Sequence, residues 1–196
     1  NKLIGGSQYN RLFRTTDGGQ NWAPANQNFD GWGNSNISPF VSKVAESNLD
    51  PDLVFTLTTG GIYRSDNFAQ SWYHIPMNQN WGGGSYFSMA QITISEADPQ
   101  YVWAGAYMGS SGKLHVSMDG GLSFKAVNNF DDMGRLSGLE THPTDDSTAY
   151  ALFSFSSDPK ILRTTDLGMS WEDITGFENS DQSSNGFPNV AVYSLV

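Results

Sequence analysis

A nine-residue stretch, RTTDGGQNW at 14–22, returns in altered form three more times, and no other feature of the chain limits its fold as strongly. The matching segments are RLFRTTDGGQNWAPA, GIYRSDNFAQSWYHI, KLHVSMDGGLSFKAV and ILRTTDLGMSWEDIT. With Asp17, Asp66, Asp119 and Asp166 taken as the turn aspartates, successive intervals are 49, 53 and 47 residues. Upstream of the last three lies a second shared pair of runs, FVSKVAESNLDPDLVFTLT, FSMAQITISEADPQYVWAGA and RLSGLETHPTDDSTAYALF. Each repeat therefore holds about four short strands, A to D, and no window shows helical periodicity.

Alternation with β-branched and aromatic enrichment, bounded by Gly, Pro, Asn and Asp, marks these runs as strands of an up-and-down sheet. A single four-stranded sheet leaves both faces open, and radial stacking of such sheets buries them. The expected fold is all-β, a β-propeller of four-stranded antiparallel blades. Between strands C and D the chain follows Ser/Thr-x-Asp-x-Gly-x-x-Trp/Phe. There the acid can accept turn N–H groups, glycine supplies positive φ, and the aromatic packs under the hairpin. The structural set is Asp17 with Trp22, Asp66 with Trp72, Asp119 with Phe124, and Asp166 with Trp171. In the second segment an extra residue separates Asp66 from Trp72, and Ala69 stands where glycine is expected, which predicts a looser turn.

This motif resembles the Asp-box, or bacterial neuraminidase repeat, of sialidases, sortilin-type receptors, several glycoside hydrolases and photosystem assembly propellers. The resemblance implies a propeller, and it implies that ligand sites lie on the face away from the boxes. Counted from strand A, the blades span 38–86, 87–134 and 135–188, preceded by a partial blade at 1–37 and followed by a first strand at 189–196. A segment of a larger propeller is expected; a closed four-bladed ring is the alternative. A start without Met agrees with the first reading.

Twenty acidic against ten basic residues give a formal charge of -10, which disfavours nucleic acid and anionic lipid as partners. The chain has no cysteine, so neither disulfides nor thiolate metal sites arise, and no apolar run reaches the ~18 residues of a membrane span. No cofactor is expected. His74, His115 and His142 fall on different repeats without metal spacing, and Arg14, Arg64 and Arg163 recur just before the boxes as parts of the repeat. A sialidase needs three arginines converging on its substrate, and only Arg11 and Arg135 remain.

On the opposite face the loops 26–36, 77–87, 128–134 and 107–112 are rich in Asn, Gly and aromatics. Such loops suit a sugar, with rings for its apolar face and amides for its hydroxyls; they also suit plain long turns whose Trp covers the core. The ligand-binding candidates are Trp32, Trp81, Tyr107, Asn36 and Tyr86, with Asp30, Asp131 and Asp132 as weak candidates for an acid and base pair. The expected function is a non-catalytic, secreted or cell-surface scaffold, sortilin-like, that binds protein or glycan through this face. The alternative is part of a glycoside hydrolase of the xyloglucanase-like or sialidase-like type.

Overall fold

The computed structural model describes residues 1–77, 81, 90–108, 114–127, 134–154, 159–176, 187–188 and 190–195. The first sheet holds β1 (Leu3–Ser7), β2 (Arg11–Thr15) and β3 (Ala23–Pro24). The second holds β4 (Val44–Glu46), β5 (Val54–Thr58), β6 (Gly61–Ser65) and β7 (Tyr73–Pro76) in chain order. The third comprises β8 (Gln91–Ile94), β9 (Val102–Gly105), β11 (Leu114–Ser117) and β12 (Lys125–Ala126). The fourth comprises β13 (Gly134–Thr141), β14 (Ala149–Phe153), β15 (Ile161–Thr164) and β16 (Glu172–Asp173). The short strand β10 (Tyr107–Met108) continues from β9 but pairs with β13, Tyr107 opposite Arg135, and so links the third sheet to the fourth. Tyr107, expected in a loop, thus lies in a strand.

All pairings between the named strands are antiparallel, and the core is divided among the gaps between sheets. Leu12, Val54, Tyr63, Phe68 and Trp72 fill the first gap, Phe55, Leu57, Trp81 and Val102 the second, and Trp103, Val116, Leu139 and Phe153 the third. On the outer face of the fourth sheet, Val192 and Leu195 cover Leu152 and Ile161. Residues 190–195 lie beside β13 and β14 there, with Ser137 Oγ donating to Val192 O, and they do not pair with β1. The ring is open.

The four C-to-D turns share one hydrogen-bond pattern. Thr15 Oγ1 donates to Asp17 Oδ1 at 2.6 Å and accepts the N–H groups of Asp17 and Gly19 at 3.3 and 3.1 Å. Asp17 accepts the Asn21 N–H at 3.0 Å and its side-chain amide at 2.9 Å. Ser117 with Asp119, and Thr164 with Asp166, repeat this with Ser123 and Ser170 as the final partners. Two consecutive residues in each turn take positive φ: Gly18 and Gly19, Phe68 and Ala69, Gly120 and Gly121, Leu167 and Gly168. The first of each pair also donates its N–H along the same face, Phe68 to Asp52 O, Gly120 to Gln100 O and Leu167 to Ser147 O, which ties the turn to the A-to-B connection of its own sheet.

At the second turn Asn67, not Asp66, holds the acid's place. Ser65 Oγ donates to Asn67 Oδ1 at 2.9 Å, and Asn67 accepts the Ser71 N–H at 3.0 Å and donates to Ser71 Oγ at 2.8 Å. Asp66 points outward, 3.4 Å from Arg64. Placing Asn67 in register removes the extra residue, so the expected looser turn is a turn of ordinary length in which Ala69 adopts φ 57°. The aromatic that ends each turn packs against the preceding sheet rather than under its own hairpin. Trp72 is 2% exposed in the first gap, with its indole N–H on Ala25 O at 3.0 Å, and Phe124 packs on the second cluster. Trp171 meets Trp103 edge to face at 6.0 Å in the third gap. Among the described residues no sheet packs on Trp22, which stands 48% exposed, against the expectation that it is buried.

Candidate functional site

Opposite the C-to-D turns, the connection from β3 to β4 is described throughout and is built from successive reverse turns. Phe29 donates to Asn26 O, Trp32 to Phe29 O, Asn34 to Gly31 O and Ser38 to Asn34 O, at 3.0 to 3.3 Å. Its backbone groups are thereby satisfied locally, as an irregular segment requires. Two further bonds fix it to the sheets: Gly33 N–H to Tyr9 O at 2.7 Å, and Thr59 N–H to Ile37 O at 2.8 Å. Buried Asn10 bridges the first and second sheets beneath it through Nδ2 to Leu57 O at 2.8 Å.

Trp32 is held half-buried on this loop. Its indole N–H donates to Leu12 O at 3.0 Å, the Phe13 ring meets it edge-on at 5.8 Å, and the Arg11 guanidinium lies 5.8 Å from its ring centre. Asn36 and Asp30 are exposed on the same loop, and Asn36 N–H caps Asn34 Oδ1 at 3.1 Å. Burial, and secondarily the charge of Asp30, pushes the Tyr63 phenol above its usual range. The structure thus keeps Asp30, Trp32 and Asn36 on one loop and sets Trp32 against Arg11 and Phe13, which flank buried Leu12 on the outer side of β2. Strand alternation in RLFRT was the signal for that pair. Held by three contacts, the Trp32 ring offers an apolar surface beside a guanidinium.

Trp81 does not belong to this surface. It is 1% exposed between the second and third sheets, its indole N–H on Thr58 O at 3.3 Å and its ring edge-on to His115 at 6.2 Å. Its expected role as a ligand contact is corrected to core packing: the ring is taken up by the gap between two sheets. Tyr107 is placed by its backbone in β10, while Tyr86, Asp131 and Asp132 lie outside the described residues. Among the described residues, no three His, Asp or Glu side chains are grouped to hold a metal ion.

Two of the strand C arginines, Arg14 and Arg64, reach the next sheet's turn, while Arg163 pairs within its own sheet. Arg64 Nε donates to Gly120 O in the next turn at 2.9 Å, the Arg14 guanidinium lies 5.7 Å from the Phe68 ring, and Arg163 pairs with Glu172 at 2.7 Å.

No protein-family model matches the chain, and no curated protein matches it in sequence. Solved structures do match. A GH74 xyloglucanase from Xanthomonas campestris superposes with a TM-score of 0.68 at 17% identity, over 89% of this chain and 29% of that one. The GH74 enzyme of Niastella koreensis gives 0.62 at 13% identity, over 89% of this chain and 28% of its own. YCF48 bound to D1 peptide gives 0.55 at 16% identity, over 86% and 48%. The chain folds as a β-propeller. It spans under a third of the length of the two GH74 enzymes and about half that of YCF48. At these identities the likeness carries the propeller and its open arc of blades, while ligand and activity rest on the side chains just described.

Proposed function

We propose that the protein is a non-catalytic propeller scaffold, acting outside the cell or on its surface, that binds a glycan or a protein through the face opposite its C-to-D turns. The observation that carries this reading is the Trp32 ring, with its N–H engaged on Leu12 O, with Arg11 and Phe13 against it, and with exposed Asp30 and Asn36 on the same loop. A ring ordered before binding loses little entropy on contact, and that favours recognition over plain loop filling. We read the four C-to-D turns as Asp-boxes, whose likeness to those of exported and sortilin-like propellers supports the location. Residues 190–195, lying beside β13, are read as the first strand of a further blade.

The test is a glycan array followed by tryptophan-fluorescence titration of the hits. Trp32→Ala is expected to weaken binding by about tenfold, the ~1.4 kcal/mol of one decade in affinity, with an unchanged circular dichroism spectrum. Binding that survives Trp32→Ala refutes the assignment. The second reading, part of a glycoside hydrolase, is supported by the two GH74 likenesses. It is favoured if the chain releases reducing ends from xyloglucan and Asp30→Asn stops that release.

A further inference from the structure

We propose that the groove between the third sheet and the fourth C-to-D turn is a docking site for an arginine side chain on a basic segment of a partner protein. It lies on the face away from Trp32 and shares no residue with that surface. The four turn segments begin Arg14, Arg64, Val116 and Arg163, so valine replaces arginine once. Strand pairing puts the four in one register, opposite Ile4, Phe55, Trp103 and Tyr150 in turn. Two of the arginines cross a gap between sheets to the first positive-φ residue of the next turn. Arg14 lies over the Phe68 ring, and Arg64 Nε donates to Gly120 O at 2.9 Å. Across the third gap the matching residue is Leu167. An isopropyl group cannot donate, so Leu167 O gets no bond from Val116. In the arginine's place is a groove of about 300 Å³ whose lining includes Val116, Met118, Lys125, Val127, Leu167 and Met169. Both flanking sheets have all four of their own strands, so the hollow comes from the side chain at 116 and not from a missing strand.

Shape and charge select the occupant. Aliphatic and thioether walls suit the stem of a long side chain, and the Arg64 bond to Gly120 O shows which head group the repeat sets at this place. On the same face Met118, Leu122 and Met169 stand 50%, 65% and 66% exposed, where the first two turns carry Thr16, Gln20, Asp66 and Gln70. A segment with apolar residues beside its arginine would cover them. Asp119 and Asp166 belong to the two adjoining turns, and Asp145 and Asp146 to the connection that holds Leu167 N–H through Ser147 O. Among the described residues none of these four carboxylates has a salt bridge, and the whole chain carries a formal charge of -10. That field attracts a basic segment and disfavours a second copy of this chain. Lys125, facing Val116 from β12, is exposed, and its like charge opposes the arginine. Changing it therefore reports the sign of the occupant's charge.

The probe is an acetylated and amidated peptide, Lys-Leu-Arg-Leu-Lys, titrated into the isotope-labelled full chain and followed by NMR amide shifts, beside the same peptide with norleucine for arginine. The arginine peptide is expected to move the amides of Val116, Lys125, Val127, Leu167, Gly168 and Met169, and the norleucine peptide to bind about tenfold more weakly. Lys125→Glu, a change at an exposed position, is expected to tighten the arginine peptide by about threefold. Val116→Arg supplies the repeat's own arginine, so it is expected to raise the melting temperature and to weaken the peptide by about tenfold. No shifts, shifts confined to other residues, equal binding of the norleucine peptide, or a Lys125→Glu chain that binds more weakly each overturns the proposal. So does a folded Val116→Arg chain that binds like the unaltered one. Should Val116→Arg fail to fold, the norleucine peptide and Lys125→Glu decide the matter.

Discussion

Trp22 and Trp72 end equivalent turns yet meet different surroundings, because each ring packs on the sheet before its own. Trp72 lies in the first gap, its N–H bonded to Ala25 O, while Trp22 faces solvent. Deleting a buried large aromatic costs about 3–5 kcal/mol, whereas exposed substitutions fall within about 0.5 kcal/mol. We therefore expect Trp72→Ala to lower the denaturation midpoint markedly and Trp22→Ala to leave it nearly in place. Equal shifts in urea titrations of the two variants would contradict the packing described. Asn67 makes a related point, for an amide can do a carboxylate's geometric work in a turn, its Oδ1 accepting and its Nδ2 donating, without a charge.

That difference gives the turns, as elements, a distinct acid response. Hydrogen bonds from Thr15 and then Asn21 hold the Asp17 carboxyl far below its ordinary value of 3.8, and those from Ser170 and then Thr164 lower Asp166. For Asp119, partial burial pushes upward and bonds from Ser123 and Ser117 outweigh it. Because the folded values lie below the unfolded ones, these carboxylates stabilise the fold above pH ~4 and lose that contribution as pH falls through the folded values. Asn67 does not titrate. As pH falls below ~4 and through those lowered folded values, the N–H groups of Asn21, Ser123 and Ser170 should lose exchange protection, after correction for intrinsic rates, while that of Ser71 keeps it. Uniform loss across all four turns would contradict this. Steric demand separates the turns further: at φ 79° a Cβ on Gly121 would overlap the Phe55 ring of the preceding sheet. Gly121→Ala should lower the melting temperature by more than Ala69→Gly, whose position already accommodates a Cβ at φ 57°.

Across the whole molecule, stability is shared between neighbours, since each cluster of core residues belongs to two sheets and Arg64 and Arg14 reach from one sheet to the next turn. Such an array approaches a sum of nearest-neighbour terms, so a sheet with one neighbour opens more readily than one with two. Native-state hydrogen exchange should find the amides of β2, central in its sheet, less protected than those of β5 and β9, which lie inside the array. Protection of β2 equal to that of β9 would argue for a partner already covering the first sheet.

Repetition in the sequence was sufficient to specify strands, their antiparallel order and the radial stacking of sheets, because these follow from periodicity two, turn chemistry and the need to bury two faces. It also placed Arg14, Arg64 and Arg163 among structural residues. Which of two adjacent residues, Asp66 or Asn67, enters the turn was decided by hydrogen-bond register, since both offer an oxygen and differ by one step along the chain. Trp32 and Trp81 are equally legible as loop aromatics, but only the tertiary structure separates them: one lies on an end sheet where its ring stays half open, the other between two sheets that bury it. Burial depends on what packs against a residue from elsewhere in the chain, and a local pattern holds no record of that neighbour.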